Sequence, residues 1–113
     1  MRALLDASEE SILLIDAVGK ILEINQIAAQ RVGRKANDMK GRSVYEFLPP
    51  DLALIFKNQV LNVIREGKAL HYEDARNGLH FENHLYPITN QAGNVERIGV
   101  FSKVITQAPR LPA

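Results

Sequence analysis

The chain has 113 residues, with fourteen Lys and Arg against thirteen Asp and Glu, a net charge of +1, and no cysteine. That length suits one domain burying roughly two-thirds of its unfolded surface; the balanced charge gives no basic face for nucleic acid, and the missing cysteine excludes a disulfide framework, a thiolate nucleophile and a Cys-based zinc site. No apolar run approaches the ~20 residues needed to cross a bilayer and no basic-then-apolar leader is present, so the expectation is a soluble, cytoplasmic domain without a membrane segment.

Residues 1–10 (MRALLDASEE) carry one apolar pair, Leu4 and Leu5, too little for a helix that stands alone. They read as a flanking segment and a candidate dimer contact. Residues 11–106 read as the domain proper. Ile12, Leu13, Leu14 and Ile15 make a continuous apolar run that suits a strand buried on both faces. The stretch from Asp16 to Gly19 reads as a turn, and Lys20–Ile24 as the second arm of a hairpin. Asn25 is placed to cap a two-turn helix, with Ala28, Ala29 and Val32 on its inner face and Gly33 closing it.

Two single-turn helices follow, at Asn37–Lys40 before Gly41 and at Val44–Leu48, where Ser43 and Glu46 match a capping box. The one long helix begins at Pro50 or Asp51, shows Leu52, Ile55, Phe56, Val60, Val63 and Ile64 as a broad apolar face, and stops at Gly67. Three strand candidates come next: Ala69–Arg76, Leu79–Thr89 and Val95–Thr106. The first two join at Asn77-Gly78 and the last two across Asn90–Asn94. Residues 107–113, with two prolines, read as a flexible tail. The order predicts an α+β fold: a five-stranded antiparallel sheet with short helices and one long helix packed on one face.

The runs SILLIDAVGKILEINQIAAQRVG, MKGRSVYEFLPP and LYPITNQAGNVERIGVFSKVIT, in this order and spacing, resemble the PAS sensory-domain family over roughly residues 4 to 106. In the family pattern Asn25 and Ala29 start the first helix, Gly41 precedes the next turn and Pro87 lies near the end of the fourth strand. The resemblance implies a small internal cavity that senses a ligand, a cofactor or a partner. It also implies an effector module in a longer signalling protein, of histidine kinase or transcription-regulator type, and homodimerisation. The family's fifth strand commonly ends in Asp-Ile-Thr; here it reads Val104-Ile105-Thr106. Three cofactor modes of the family are disfavoured by residue type: without cysteine no flavin adduct forms, without tryptophan no such ring stacks on a redox flavin, and the long helix carries no axial histidine for heme. Met39 reads as core filler.

A two-residue turn at Asn77-Gly78 sets Arg76 opposite Leu79, hence Tyr72 opposite Asn83, Glu73 opposite Glu82 and His71 opposite His84. His71, His80, His84, Tyr86, Glu73 and Glu82 then share one face. That face admits a divalent metal, a pH response, a solvated surface or a dimer contact, and we assign no metal ligand there. Leu70, Tyr72, Phe81, Asn83 and Leu85 share the inner face. Tyr72 and Asn83 are the candidate ligand-orienting pair, or else they satisfy each other or a water. Tyr45, Phe56 and Val60 complete the predicted ligand-binding set from the helical wall, and Ser102 supplies an internal hydroxyl. No catalytic constellation is visible, so the primary reading is a non-enzymatic sensor of an unidentified small molecule. The alternatives are a ligand-free dimerisation scaffold and a small α+β isomerase using Asp74 as a base beside Tyr72.

Overall fold

The computed structural model describes residues 10–76 and 78–105. Five strands, β1 (Ser11–Asp16), β2 (Ile21–Ile24), β3 (Leu70–Arg76), β4 (Leu79–Thr89) and β5 (Val95–Val104), form one antiparallel sheet in the order β2-β1-β5-β4-β3. Between β2 and β3 run α1 (Gln26–Arg31), α2 (Ala36–Met39), a 3₁₀ turn (Val44–Phe47) and α3 (Pro50–Glu66). The predicted fold class holds. Expectations placed on residues 1–9, on Asn77 and on residues 106–113 lie outside the described residues.

Local chemistry explains the punctuation. Asp16 Oδ1 accepts from the backbone amides of Val18 at 3.0 Å and Lys20 at 2.9 Å, closing the β1–β2 hairpin. Gly19 in that turn has φ 91° and is buried against the ring of Tyr45, so an added Cβ would meet both backbone strain and an aromatic edge. The outer edge of β2 is not left bare: Ile21 donates to the Arg42 carbonyl at 2.9 Å, Gly41 to Ile21 at 2.8 Å, and Val44 to Gly19 at 2.8 Å. At the far hairpin Arg76 faces Leu79, with Gly78 at φ 79°, giving the register expected from sequence.

Asn25 is fully buried and does more than cap. Its Oδ1 accepts from Ala28 N at 3.0 Å, which starts α1, and from Ile12 N at 3.1 Å, while its Nδ2 donates to the Glu10 carbonyl at 2.8 Å. One side chain thus locks the first helix to the start of the first strand. Helix α1 closes at Gly33, φ 72°, with Gly33 N bonded to Gln30 O and Arg34 N to Ala29 O.

Three local expectations are corrected. Ser43 accepts from Tyr45 N at 3.3 Å, but Glu46 turns to Arg42 instead of completing a capping box, because a guanidinium one turn back offers a charged partner. On α3 the buried stripe is Phe56, Val60 and Val63, and Ile55 is 43% exposed; spaced four and three apart, those residues meet the sheet along a narrow line that Ile55 misses. In β1 only Ile15 is fully buried. The helices cover one face of the sheet, so Ile12 and Leu14, on the opposite face, are half-buried.

The core lies between that covered face and the helices. Ile15, Ile21, Ile24, Val63, Leu85 and Ile98 are each no more than 2% exposed. Between α1, the start of α3 and strands β3, β4 and β5, apolar filling gives way to a mixed cavity.

Candidate functional site

The cavity measures about 80 Å³ and is bounded by two unlike walls. The helical wall is apolar, including Val32, Met39, Val44, Leu52 and Phe56, with Leu13, Ile24 and Val100 from the sheet continuing it. The opposite wall is polar and comes from β3, β4, β5, the start of β1 and the last turn of α1: Tyr72, Asp74, Arg76, Asn83, Ser102 and Arg31.

Asn83, 2% exposed, is the hub of the polar wall. Its Oδ1 accepts from Ser102 Oγ at 2.6 Å and from an Arg76 terminal nitrogen at 3.0 Å, while its Nδ2 donates to the Tyr72 backbone carbonyl at 3.4 Å. Arg76 Nε donates to Asp74 Oδ1 at 3.2 Å, both side chains being largely covered. Arg31 reaches across from α1, donating to Ser11 Oγ and to the Ser102 carbonyl at 3.2 Å. The Phe81 ring packs against two guanidiniums, with Arg31 Cζ at 5.0 Å and Arg76 Cζ at 4.2 Å from its centroid.

Electrostatics follows from this crowding. Burial pulls the Arg31 guanidinium below its ordinary pKa, and the like charge of Arg76 adds to the effect. Burial drives the Tyr72 phenol well above the ordinary tyrosine range, with the Asp74 carboxylate pushing the same way and Arg76 opposing. Asp74 is bound by Arg76, whereas among the described residues Arg31 meets only neutral acceptors. The site is therefore rich in donors and carries two cations against one anion.

Of the residues singled out from sequence, Phe56, Tyr72, Asn83 and Ser102 line the cavity together. Tyr45 and Val60 do not. Tyr45 packs at a tilt on Phe56, ring centroids 5.9 Å apart, and covers Gly19, with burial and then Asp16 raising its pKa. Val60, 1% exposed, belongs to the core. Tyr72 and Asn83 are opposite each other as expected, but they meet through the Tyr72 carbonyl and not its hydroxyl.

Sequence reasoning overlooked Arg31, Arg76 and Ser11, and it considered Asp74 only as a base. The signal for two of these was present: Asp74 and Arg76 follow Tyr72 at the period of two that placed Tyr72 inside. Arg31 lies three residues after Ala28 on the inner side of α1, where a cation reads as solvated by default.

The other face of the sheet carries the histidines. His71 and His84 rings stack with centroids 5.4 Å apart, His84 stacks on Tyr86 at 6.1 Å, and Tyr86 meets Phe101 edge-on at 5.7 Å. His84 Nε2 lies 3.6 Å and Lys103 Nζ 4.0 Å from the same Glu82 oxygen. Among the described residues no three His, Asp or Glu side chains converge as a metal site, and no helix is long and apolar enough to cross a membrane.

An antiparallel sheet that cups brief helices around a small, donor-rich hollow defines an α+β cavity module. The family model described as the PAS fold matches residues 5–110, and the chain belongs to that family. Its structure is similar to a sensory box sensor histidine kinase from Vibrio cholerae, with TM-score 0.79 and 16% identity over 94% of this chain and 89% of that one. It is similar also to the PAS domain of Bordetella pertussis BvgS, with TM-score 0.77 and 23% identity over 95% and 85% of the two chains. A third similar structure is the LuxR-type receptor VqmA of Vibrio cholerae, with TM-score 0.80 and 20% identity; there this chain is covered to 92% but spans only 49% of the other. No curated protein matches the chain.

Proposed function

We propose that this chain is a signal-sensing and interaction module that binds a small molecule in the cavity and regulates a linked or partner effector. The observation that carries the reading is the cavity itself: an apolar helical wall facing Arg31, Arg76, Asn83 and Ser102, which is the mixture of apolar surface and few convergent polar groups that ligand sites use. Support for an effector of kinase or regulator type comes from the similar structures, among them a sensor histidine kinase and VqmA, the latter solved as a dimer and in a complex with ligand and DNA. The predicted contacts Phe56, Tyr72, Asn83 and Ser102 are retained in this proposal, joined by Arg31 and Arg76.

A ligand regulates only if it binds two states unequally. Here the polar wall ties separate elements: Arg31 joins α1 to Ser11 on β1 and to Ser102 on β5, two residues paired in register. An occupant that takes over a donor of Arg31 changes how α1 holds the first and fifth strands, and so the segments before and after them. Native mass spectrometry of the freshly purified chain, followed by denaturing extraction, tests the reading. A stoichiometric extra mass is expected, and its repeated absence after expression in several hosts overturns it in favour of the scaffold.

That second reading, a homodimerising scaffold, is favoured by a different observation. The sheet face away from the helices presents Ile12, Leu14, Phe101 and Tyr86 without a covering layer among the described residues, and apolar patches of this kind commonly mark interfaces. The two readings are compatible, since a sensor that pairs through this face uses both sides of the sheet.

A further inference from the structure

We propose that Arg31 and Arg76 form the anion subsite of the cavity and that its ligand is a monocarboxylate with a short apolar tail. The inference rests on the sensor reading and adds the chemical class of the occupant.

Charge decides the head group. Two guanidiniums and one carboxylate line the cavity, and the carboxylate, Asp74, is held by Arg76. Among the described residues one positive charge is left without a counter-charge, on Arg31, whose partners are the Ser11 hydroxyl and the Ser102 carbonyl. A partly buried cation bonded only to neutral acceptors gains most from a mobile anion, because charge-assisted bonds are about twice as strong as neutral ones. The planar fork of Arg fits a carboxylate. A dicarboxylate or a phosphate dianion would reverse the net charge of the site and add a negative group facing Asp74, so a monoanion is the better match.

Shape decides the rest. At about 80 Å³ the cavity holds roughly five to eight water-sized bodies, at the ~10–15 Å³ that each requires. Beyond Arg31, Arg76 and Asp74 the walls include Val32, Leu52, Phe56 and Val100, with no further charge among the described residues, so the part of the ligand behind the head group is apolar and short. Both guanidiniums also pack on the Phe81 ring, which holds Arg31 and Arg76 near one another beside the cavity.

The test uses the whole chain titrated with sodium butyrate, butyramide and sodium succinate, read by backbone amide shifts and calorimetry. Butyrate is expected to move the amides of Ser11, Asn83 and Ser102 and to bind roughly ten- to hundredfold more tightly than butyramide, the range given by losing one charged hydrogen-bond partner. Succinate is expected to bind more weakly than butyrate. Arg31→Gln should lose a similar factor, Arg31→Lys should recover part of it, and Arg65→Gln, at an exposed position on α3, should change nothing. Should Arg31→Gln fail to fold by circular dichroism, the ratio of acid to amide on the parent chain decides alone. Equal binding of amide and acid, or full affinity in a folded Arg31→Gln chain, overturns the monocarboxylate assignment while leaving a cavity that binds. If no probe shifts these amides, the assignment falls; an extra mass in native spectra would then keep the sensor reading, and its absence would end both.

Discussion

The phenol of Tyr72 lines a cavity that does not favour its charged form. Burial is the larger cause, the neighbouring Asp74 carboxylate adds to it, and Arg76 only partly opposes them. In the unfolded chain the group ionises near its ordinary 10.0, whereas in the folded chain it keeps its proton at higher pH. Above that value the unfolded state therefore binds fewer protons than the native state, so stability is full below pH 10 and falls as pH rises beyond it. Urea unfolding at stepped pH on either side of 10.0 should show a steeper alkaline loss for the parent chain than for Tyr72→Phe. Parallel curves for the two chains would contradict the burial argument. What sequence could say about these residues divides by chemistry. Tyr72, Asn83 and Ser102 were placed inside because alternation along a strand does not depend on residue type. Arg31 and Arg76 were missed because a charged side chain is assigned to solvent unless something shows a partner, and apart from Asp74 their partners, Ser11, Ser102 and Asn83, lie on other elements.

At the scale of elements the junction of β1 and α1 depends on Asn25. Its amide serves the first turn of the helix, the backbone of Ile12 and the carbonyl of Glu10 at once, from a fully buried position. Asn25→Ala removes a cap worth about 1 kcal/mol. It also takes their partner from an N–H and a C=O at the start of β1, so the total cost should be about 2–4 kcal/mol. Asn25→Asp keeps both acceptor contacts and loses the donor to Glu10, so it should fall between the parent and the alanine variant. Urea midpoints of the three chains check the order; an alanine variant within half a kcal/mol of the parent would show that the cap acts alone and weakly. The cap was legible because Asn before an apolar helical face has one common meaning. The two long-range bonds were not, since they join residues thirteen and fifteen apart that only the sheet brings together. Likewise the β3–β4 register followed from Asn77-Gly78, whereas the pairing of residues 41–44 with the rim of β2 follows no local pattern.

For the whole molecule the decisive asymmetry is that, among the described residues, one sheet face is covered by helices and the other is not. Sequence suggested burial on both sides of β1, and the apolar residues responsible, Ile12 and Leu14, lie on the uncovered side next to Phe101 and the stacked row of Tyr86, His84 and His71. Such a strand is written for a second layer. In the proposed homodimer a twofold contact supplies it from the same face of another copy, with Glu82 and Lys103, 4.0 Å apart within each copy, at its polar margin. Tyr86 is 45% exposed but stacks on His84 and meets Phe101 edge-on, so Tyr86→Lys should cost the isolated chain about 1 kcal/mol. In the dimer the same change puts two ammonium groups into a shared apolar contact, and the dissociation constant should rise by at least roughly tenfold. Sedimentation equilibrium over a wide concentration range, run beside urea unfolding of each chain, separates the two effects. A parent chain that stays monomeric throughout, or a lysine variant that pairs as well as the parent, would mean that the aromatic row faces solvent and that the second layer is supplied from elsewhere.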